Sequence, residues 1–449
     1  MKYYFSGIGG IGMSSLALYA YYSGNEVYGS NNENNERIEY LKSKGLNINI
    51  GHSSELPDVD ILIRSTAIRN DNPEIIEAAK KNIPVLYRME YLNSILKSNW
   101  SVGVTGTDGK TSTTAMISHI LKYAKKDPTV FLGGIHNSLE DGNFRIGSGL
   151  IVAEVDESDG FIKNSQSDVV IVNNLRPDHL EHYDNKFENL EYSIRKYAER
   201  TRDILFINGD DPYLASWNFD FQNVLTFGEN PNNTYRIVSR KTSGRYQEFE
   251  MYYKKTFVCK ITLTIPGLHY AYDALAAAAF AMEYGISFSK VQEALFSYKT
   301  VNRRFNILYD NTTRYVIDDY AHTPEEISMT IDAARDYFPG RKIITVFQPH
   351  RYTRLYRSAE GFIKALKKSD EVFVYKIYSA FEDPIEGVDE HSVVKILNSY
   401  SVYSEFFDSE NEMIKKLLGY DNCVFLFVGA GDITNIAKNF STILSEKYL

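Results

Sequence analysis

The run Thr105-Gly106-Thr107-Asp108-Gly109-Lys110-Thr111-Ser112-Thr113 has the residue types of a phosphate-binding turn. Glycines let backbone N–H groups turn inward around phosphate oxygens, and a helix N-terminus adds partial positive charge. Lys110 would then bridge the β- and γ-phosphates of a nucleotide, and Thr111 would offer its hydroxyl to magnesium. The spacing is Gly-x-x-Gly-Lys-Thr, shorter than the general Gly-x4-Gly-Lys-[Ser/Thr] form, because Val104 stands where the first glycine belongs. The bland alternative is a glycine-rich turn with a surface lysine. An apolar run at 100–105 and a helix-compatible stretch from Ser112 to Tyr123 favour the phosphate loop.

A second glycine-rich run, Gly7-Ile8-Gly9-Gly10-Ile11-Gly12-Met13, fits Gly-x-Gly-x-x-Gly after a short apolar strand at 3–6. Dinucleotide folds place an acidic residue about 20 positions later to read ribose hydroxyls. Here Ser30-Asn31-Asn32 occupies that place, so a nucleotide-sugar diphosphate suits these amides better than a nicotinamide dinucleotide.

Charge gathers at further strand ends, where ligands bind in open α/β sheets. Glu154 to Asp159 follows an apolar strand at 150–153, and Asp178-His179 follows another at 168–172. Magnesium prefers a few carboxylate oxygens together with phosphate and water, which makes Glu154 a candidate ligand. Three more clusters are Arg303-Arg304-Phe305, Asp318 to Pro324 and Phe347 to Arg354. Arginine forks suit carboxylates and phosphates. Were 351–354 to open a helix, Arg351 and Arg354 would share one face.

The elements that must carry these residues alternate strand and helix, the pattern of parallel α/β domains. Strands are expected at 203–207, 314–318, 342–347, 371–375 and 423–428, with helices at 271–283 and 324–337. Residues 225–265 alternate without a helix and read as an antiparallel excursion. At 449 residues the chain needs two or three cores. A net charge of −9 argues against a nucleic-acid binder. Cys259 and Cys423 read as buried reduced thiols. The start is not a signal peptide and no apolar run spans a bilayer, so the cytoplasm is the expected compartment.

With these motifs the chain resembles the Mur ligase family over essentially its whole length. The marks are Gly7–Met13, Ser65–Ile68 with Asp71–Glu74, the short phosphate loop, Glu154–Asp159, Arg303–Phe305, Phe347–Arg354 and Gly429-Ala430-Gly431-Asp432-Ile433. The Phe-Gln-Pro-His-Arg-Tyr element looks like the branch that adds alanine. The run Asp319–Pro324 is also similar to the branch adding the third residue, but that branch's Asp-Asn-Pro-Arg signature is absent.

The resemblance implies an α/β fold of three domains. These are an N-terminal Rossmann-like nucleotide-sugar domain at 1–99, a central P-loop ATPase-like domain at 100–300 and a C-terminal Rossmann-like amino-acid domain at 301–449. It implies joining of L-alanine to UDP-N-acetylmuramate through an acyl phosphate, using ATP and Mg2+, for peptidoglycan precursors. The alternative is another ligase of the family, adding a different amino acid or a preformed peptide. Implied catalytic residues are Lys110, His179 and His322. ATP would be held by Gly106, Thr107, Asp108, Gly109, Lys110, Thr111, Ser112, Asp273, Arg304 and Asp319, the last through ribose hydroxyls. The sugar nucleotide would meet Gly9, Gly10, Ile11, Gly12 and Ser65, and the amino acid His350, Arg351 and Arg354. Thr111, Glu154 and His179 would hold metal. Five positions depart from the family pattern: Asp108 for His, Asn31 for Asp, Tyr270 and Asp273 for the two Asn of Gly-x-His-Asn-x-x-Asn, and Arg176 for Glu.

Overall fold

Strands covered on both faces read as nearly continuous apolar runs. Four strands of at least four residues are buried at every position: β6 (Ser101–Thr105), β10 (Val169–Val172), β17 (Arg314–Asp319), whose charged residues lie at its two ends, and β21 (Cys423–Val428). They form the middle of two sheets in the computed structural model, which describes residues 1–380 and 382–448. The chain divides into two compact units. One comprises Met1–Val238, Glu250–Cys259 and Tyr272–Leu295, and the other Ser239–Phe249, Lys260–Ala271 and Phe296–Leu449.

The first unit opens with a five-stranded parallel sheet of order β3-β2-β1-β4-β5. Its strands are β1 (Lys2–Ser6), β2 (Glu26–Asn31), β3 (Asn47–Ile50), β4 (Ile61–Arg64) and β5 (Val85–Tyr87). A larger sheet follows, built on β6, β7 (Thr129–Phe131), β8 (Phe144–Arg145), β9 (Ile151–Glu154), β10, β11 (Ile204–Asn208) and β12 (Val224–Gly228). Its order is β12-β11-β10-β6-β9-β7-β8, parallel except for the β7–β8 pair.

The expected excursion is present as β13 (Tyr235–Ser243), β14 (Tyr246–Tyr253) and β15 (Thr256–Leu263), neighbours in sheet order. Gly244-Arg245 and Lys254-Lys255 alone separate them in sequence. Two-residue connections between neighbouring strands require antiparallel hairpins.

The second unit carries a six-stranded sheet, β16-β17-β21-β18-β19-β20, in which only β16 (Asn306–Asp310) runs antiparallel. The others are β18 (Lys342–Phe347), β19 (Glu371–Tyr375) and β20 (Tyr403–Phe407). The ends of β17, β21 and β18 lie side by side, with Asp319 and Phe347 both paired to Val428. Both cysteines are free and buried, and burial pushes their thiols up to about 11 for Cys259 and about 12 for Cys423. Among the described residues, no helix is long and apolar enough to cross a membrane.

Candidate active site

The phosphate loop leaves the buried end of β6 and feeds the helix Lys110–Tyr123. Two of its glycines are required by space as well as by backbone angle. At Gly106 (φ +120°) a Cβ would lie 2.8 Å from the Asn174 carbonyl. At Gly109 (φ +78°) it would lie 2.5 Å from the Asp273 carboxylate. The loop is stitched to the end of β10. Thr107 N donates to the Asn174 carbonyl (3.2 Å), Asp108 N to Asn174 Oδ1 (2.8 Å), and Arg176 N to Thr107 Oγ1 (2.9 Å). Gly109→Ala should therefore cost about 1–2 kcal/mol from the left-handed backbone alone and weaken ATP binding. A thermal melt with an ATP titration reads both.

Lys110 is a buried ammonium. Its Nζ donates to the carbonyls of Gly106 (2.8 Å) and Thr107 (3.0 Å), and lies 2.9 Å from Glu157 Oε2. Burial opposes its charge, but Glu157, Asp156 and Glu154 outweigh burial and hold its pKa above the ordinary lysine range. Glu157 is itself pushed up to about 7 by burial, against the pull of Lys110.

β9 pairs with β6 so that Glu154 sits opposite Val104, beside the loop. Thr111 Oγ1 donates to Glu154 Oε2 at 2.9 Å, and Gly133 N donates to the same oxygen at 2.9 Å. A hydroxyl and a carboxylate converging beside a lysine are hard oxygen donors of the kind magnesium takes when phosphates complete its shell. Among the described residues, no group of three or more His, Cys, Asp or Glu could hold a metal without such help. His179 follows β10 in a left-handed conformation (φ 51°). Burial lowers its pKa, but Glu181, Asp178, Glu157 and Asp156 together raise it above the ordinary histidine value.

Two departures acquire partners here. Arg176 pairs with the fully buried Asp211 and donates to the Leu175 carbonyl (2.6 Å). Asp273, on the helix Leu268–Glu283, accepts from Thr113 Oγ1 (3.0 Å) and packs under Gly109, so it supports the loop's shape from behind.

The first glycine run begins the helix Ile11–Tyr22. The amides of Gly7 and Ile8 both donate to the Ser30 carbonyl (2.9 Å each), and Gly9 N donates to Asn31 Oδ1 (3.2 Å). Asn31 thus retains the acceptor that an aspartate would provide. Ser65, at the end of β4, donates its amide to the Ser6 carbonyl (3.1 Å) and borders Gly7. Beneath them the buried Glu74 accepts from Tyr4 (2.8 Å), Ser6 (2.5 Å) and Ser30 (2.9 Å), with His52 Nδ1 at 3.0 Å. That network ties the ends of β1 and β2 together.

Sequence reading missed Arg88, whose signal there was only a charge before a helix. It pairs with Asp159 (2.9 Å) and Asp156 (3.3 Å), and a Cβ on Gly12 would lie 2.5 Å from its Nη1. Gly12, Arg88, Leu132, Gly133, Glu154 and Asp156 line a cavity of 210 Å³. One cavity therefore reaches from the first glycine run to the carboxylate beside the phosphate loop.

In the second unit, Asp319 accepts from the amides of Phe305 (2.6 Å) and Ala321 (2.8 Å), and burial pushes it up to about 6 against Arg304. Arg304 lies over the Tyr320 ring and 3.5 Å from Glu326. Arg303 instead donates to the carbonyls of Gly429 (2.6 Å) and Gly431 (3.1 Å), fastening the turn after β21. Glu326 is the second residue the sequence reading missed, although Thr323-Pro324-x-Glu326 spells a capping box. It closes that box at the helix Pro324–Tyr337 and meets His322 Nδ1 at 3.2 Å. Burial would raise Glu326, but His322, Arg304 and two backbone amides hold it below the ordinary glutamate range.

His350, Arg351 and Arg354 come together, but not on one helical face. The helix begins at Tyr352, and Arg351 precedes it with φ 68° and ψ 134°. The segment does open a helix, but Arg351 is the residue before its first turn, so the two arginines do not share a helical face. Arg351 N donates to the Tyr378 carbonyl (2.9 Å), and its guanidinium lies 3.9 Å from Glu382. Arg354 instead reaches back to His350 Nδ1 (3.0 Å), whose ring stacks on Tyr378. Gln348 donates to Asp432 (2.7 Å) and accepts from Ile433 N (3.1 Å), docking the Gly429–Ile433 turn against the same loop.

The chain matches three successive domains: the Mur ligase family catalytic domain over residues 2–100, the Mur ligase middle domain over 104–281 and the Mur ligase glutamate ligase domain over 303–431. It belongs to the Mur ligase family. A UDP-N-acetylmuramate–L-alanine ligase of Thermotoga petrophila is 41% identical over 98% of this chain and 96% of its own. One of Aquifex aeolicus is 37% identical over 98% and 97%. The crystal structure of the UDP-N-acetylmuramate–alanine ligase of Thermotoga maritima superposes with a TM-score of 0.87 at 37% identity, covering 99% of each chain. This Mur ligase thus has its relatives' α/β architecture along its full length, and the sequence expectation of that fold holds.

Proposed function

We propose that this chain joins L-alanine to the carboxylate of UDP-N-acetylmuramate in the cytoplasm, forming an amide for peptidoglycan precursor synthesis. The identity of 41% to a ligase of that printed activity, over 98% of the chain, carries the reading. Mur ligases use ATP. We assign residues 1–99, 100–300 and 301–449 to the nucleotide sugar, ATP and amino acid.

A free carboxylate is a poor acyl donor. Its oxygen attacks the γ-phosphorus of ATP, ADP leaves, and an acyl phosphate results. The alanine amine then attacks the acyl carbon, phosphate leaves and the amine loses a proton. Phosphoryl transfer depends on positioning and charge neutralisation. Lys110 and the amides of Gly106 to Ser112 supply these for the phosphates, with Arg304 and Asp319 assigned to the nucleotide and His322 to the γ-phosphate. Thr111 and Glu154 would hold a magnesium ion and His179 a second, each adding positive charge. Gly9 to Gly12 and Ser65 are assigned to the sugar nucleotide, and His350, Arg351 and Arg354 to alanine.

ADP release with UDP-N-acetylmuramate and each single amino acid in turn tests the reading. L-alanine should give the highest kcat/KM. A higher value for a different amino acid, or turnover only with a preformed peptide, moves the chain to another branch. For the metal assignment, Glu154→Gln and His179→Ala should raise the magnesium concentration giving half-maximal rate. Unchanged magnesium dependence in both would return these residues to a structural role.

A further inference from the structure

Asn143 belongs to none of the motifs above, yet it is fully buried and bonded to two residues that line the cavity, Ile11 and Leu132. Its Nδ2 donates to the Ile11 carbonyl at 2.5 Å and to Ser14 Oγ at 3.0 Å. Its Oδ1 accepts from Arg37. Arg37 in turn donates to Ser14 Oγ (3.0 Å) and to the Asp141 carbonyl (2.9 Å). Asp141 anchors the turn from the other side, accepting from Tyr40 (2.6 Å) and Tyr22 (3.1 Å) and pairing with Lys44 (3.1 Å).

The main chain of Asn143 makes the complementary contact. Its carbonyl accepts from Leu132 N at 2.9 Å. Leu132 and Gly133 line the cavity, and so do Ile11 and Gly12. One residue therefore links the two lining segments, through its amide side chain to Ile11 and its carbonyl to Leu132. Gly133 N also holds Glu154 Oε2, so the link extends to the carboxylate beside the phosphate loop. A buried amide with both ends engaged cannot rotate without stranding a polar atom, which makes it a rigid spacer.

We propose that Asn143 is a positioning residue for the sugar-nucleotide substrate. It sets the distance between the first glycine run and Leu132–Gly133, and so where the substrate's carboxylate lies relative to Glu154 and the phosphate loop. The proposal rests on the functional reading above.

Asn143→Asp tests it. The shape is kept and the acceptor toward Arg37 survives, but an oxygen replaces the donor facing Ile11 O. The KM for UDP-N-acetylmuramate should rise about tenfold or more, while those for ATP and L-alanine stay within about twofold. Tyr22→Phe, which removes a donor to Asp141 and leaves Ile11 untouched, should leave all three constants near wild type. Should Asn143→Asp not fold, Arg37→Gln is read in the same way, since it releases the Asn143 oxygen together with Ser14 Oγ and the Asp141 carbonyl and leaves the Leu132 contact in place. An unchanged sugar-nucleotide KM in a folded variant overturns the proposal. So does a common shift of all three constants with a fall in Tm, the behaviour of a packing residue. A wild-type chain active on UDP-N-acetylmuramate beside an unaffected variant defeats this proposal alone. An inactive wild type defeats the functional reading as well.

Discussion

Lys110→Ala should lower turnover by about 100-fold or more, the scale expected when one preorganised charge is removed from a developing transition state. Lys110 is enclosed by its own loop. Its side chain is 11% exposed and its ammonium is held by two loop carbonyls and Glu157. A buried pair broken on one side leaves an unpaired charge, which is strongly destabilising, so the single variant should also melt earlier. The double variant Lys110→Ala/Glu157→Gln removes the stranded carboxylate. It should recover most of the stability and none of the turnover. Near-normal ADP release by a folded Lys110→Ala protein would sink the phosphate-loop assignment.

Replacing Arg351 or Arg354 by alanine should raise the KM for L-alanine by one to two orders of magnitude, since a charge-assisted contact contributes about 1.5–3 kcal/mol. The constants for ATP and UDP-N-acetylmuramate should change much less. The two variants should also differ from each other. Arg354 holds His350 Nδ1 at 3.0 Å, so its loss frees an imidazole that stacks on Tyr378. Arg351 lies 3.9 Å from Glu382 instead, so its loss leaves His350 held. A structural clamp would instead lower Tm and shift all three constants together. Titration of each substrate beside a melt separates these outcomes, and a selective loss of ATP affinity would mean the pair serves another substrate.

How legible the molecule was depended on how local each signal is. Strands buried on both faces announce themselves, and 342–347, 371–375 and 423–428 coincide with β18, β19 and β21. β7 and β8 were not read because three and two residues carry no periodicity. The phosphate loop was readable because strand, glycines, lysine and helix are contiguous. The helix start proved earlier than expected, at Lys110, because Gly109 can take the left-handed angle that caps it.

By itself the sequence determined the fold class and the chemical groups at each strand end, since both follow from local residue types. It also offered the candidate residues that the structure collects at the phosphate loop and beside His350. Only the tertiary structure decided which groups meet. Arg88 is read as a lone charge until the fold sets it between Gly12 and two aspartates, 68 and 71 residues away. Arg351 and Arg354 looked like one helical face until backbone hydrogen bonding to Tyr378 held Arg351 outside the helix. Asn143 carried no signal at all, because its partner Ile11 lies 132 residues away. Contacts of that separation depend on how helices pack on sheets, and no local pattern of residue types encodes them.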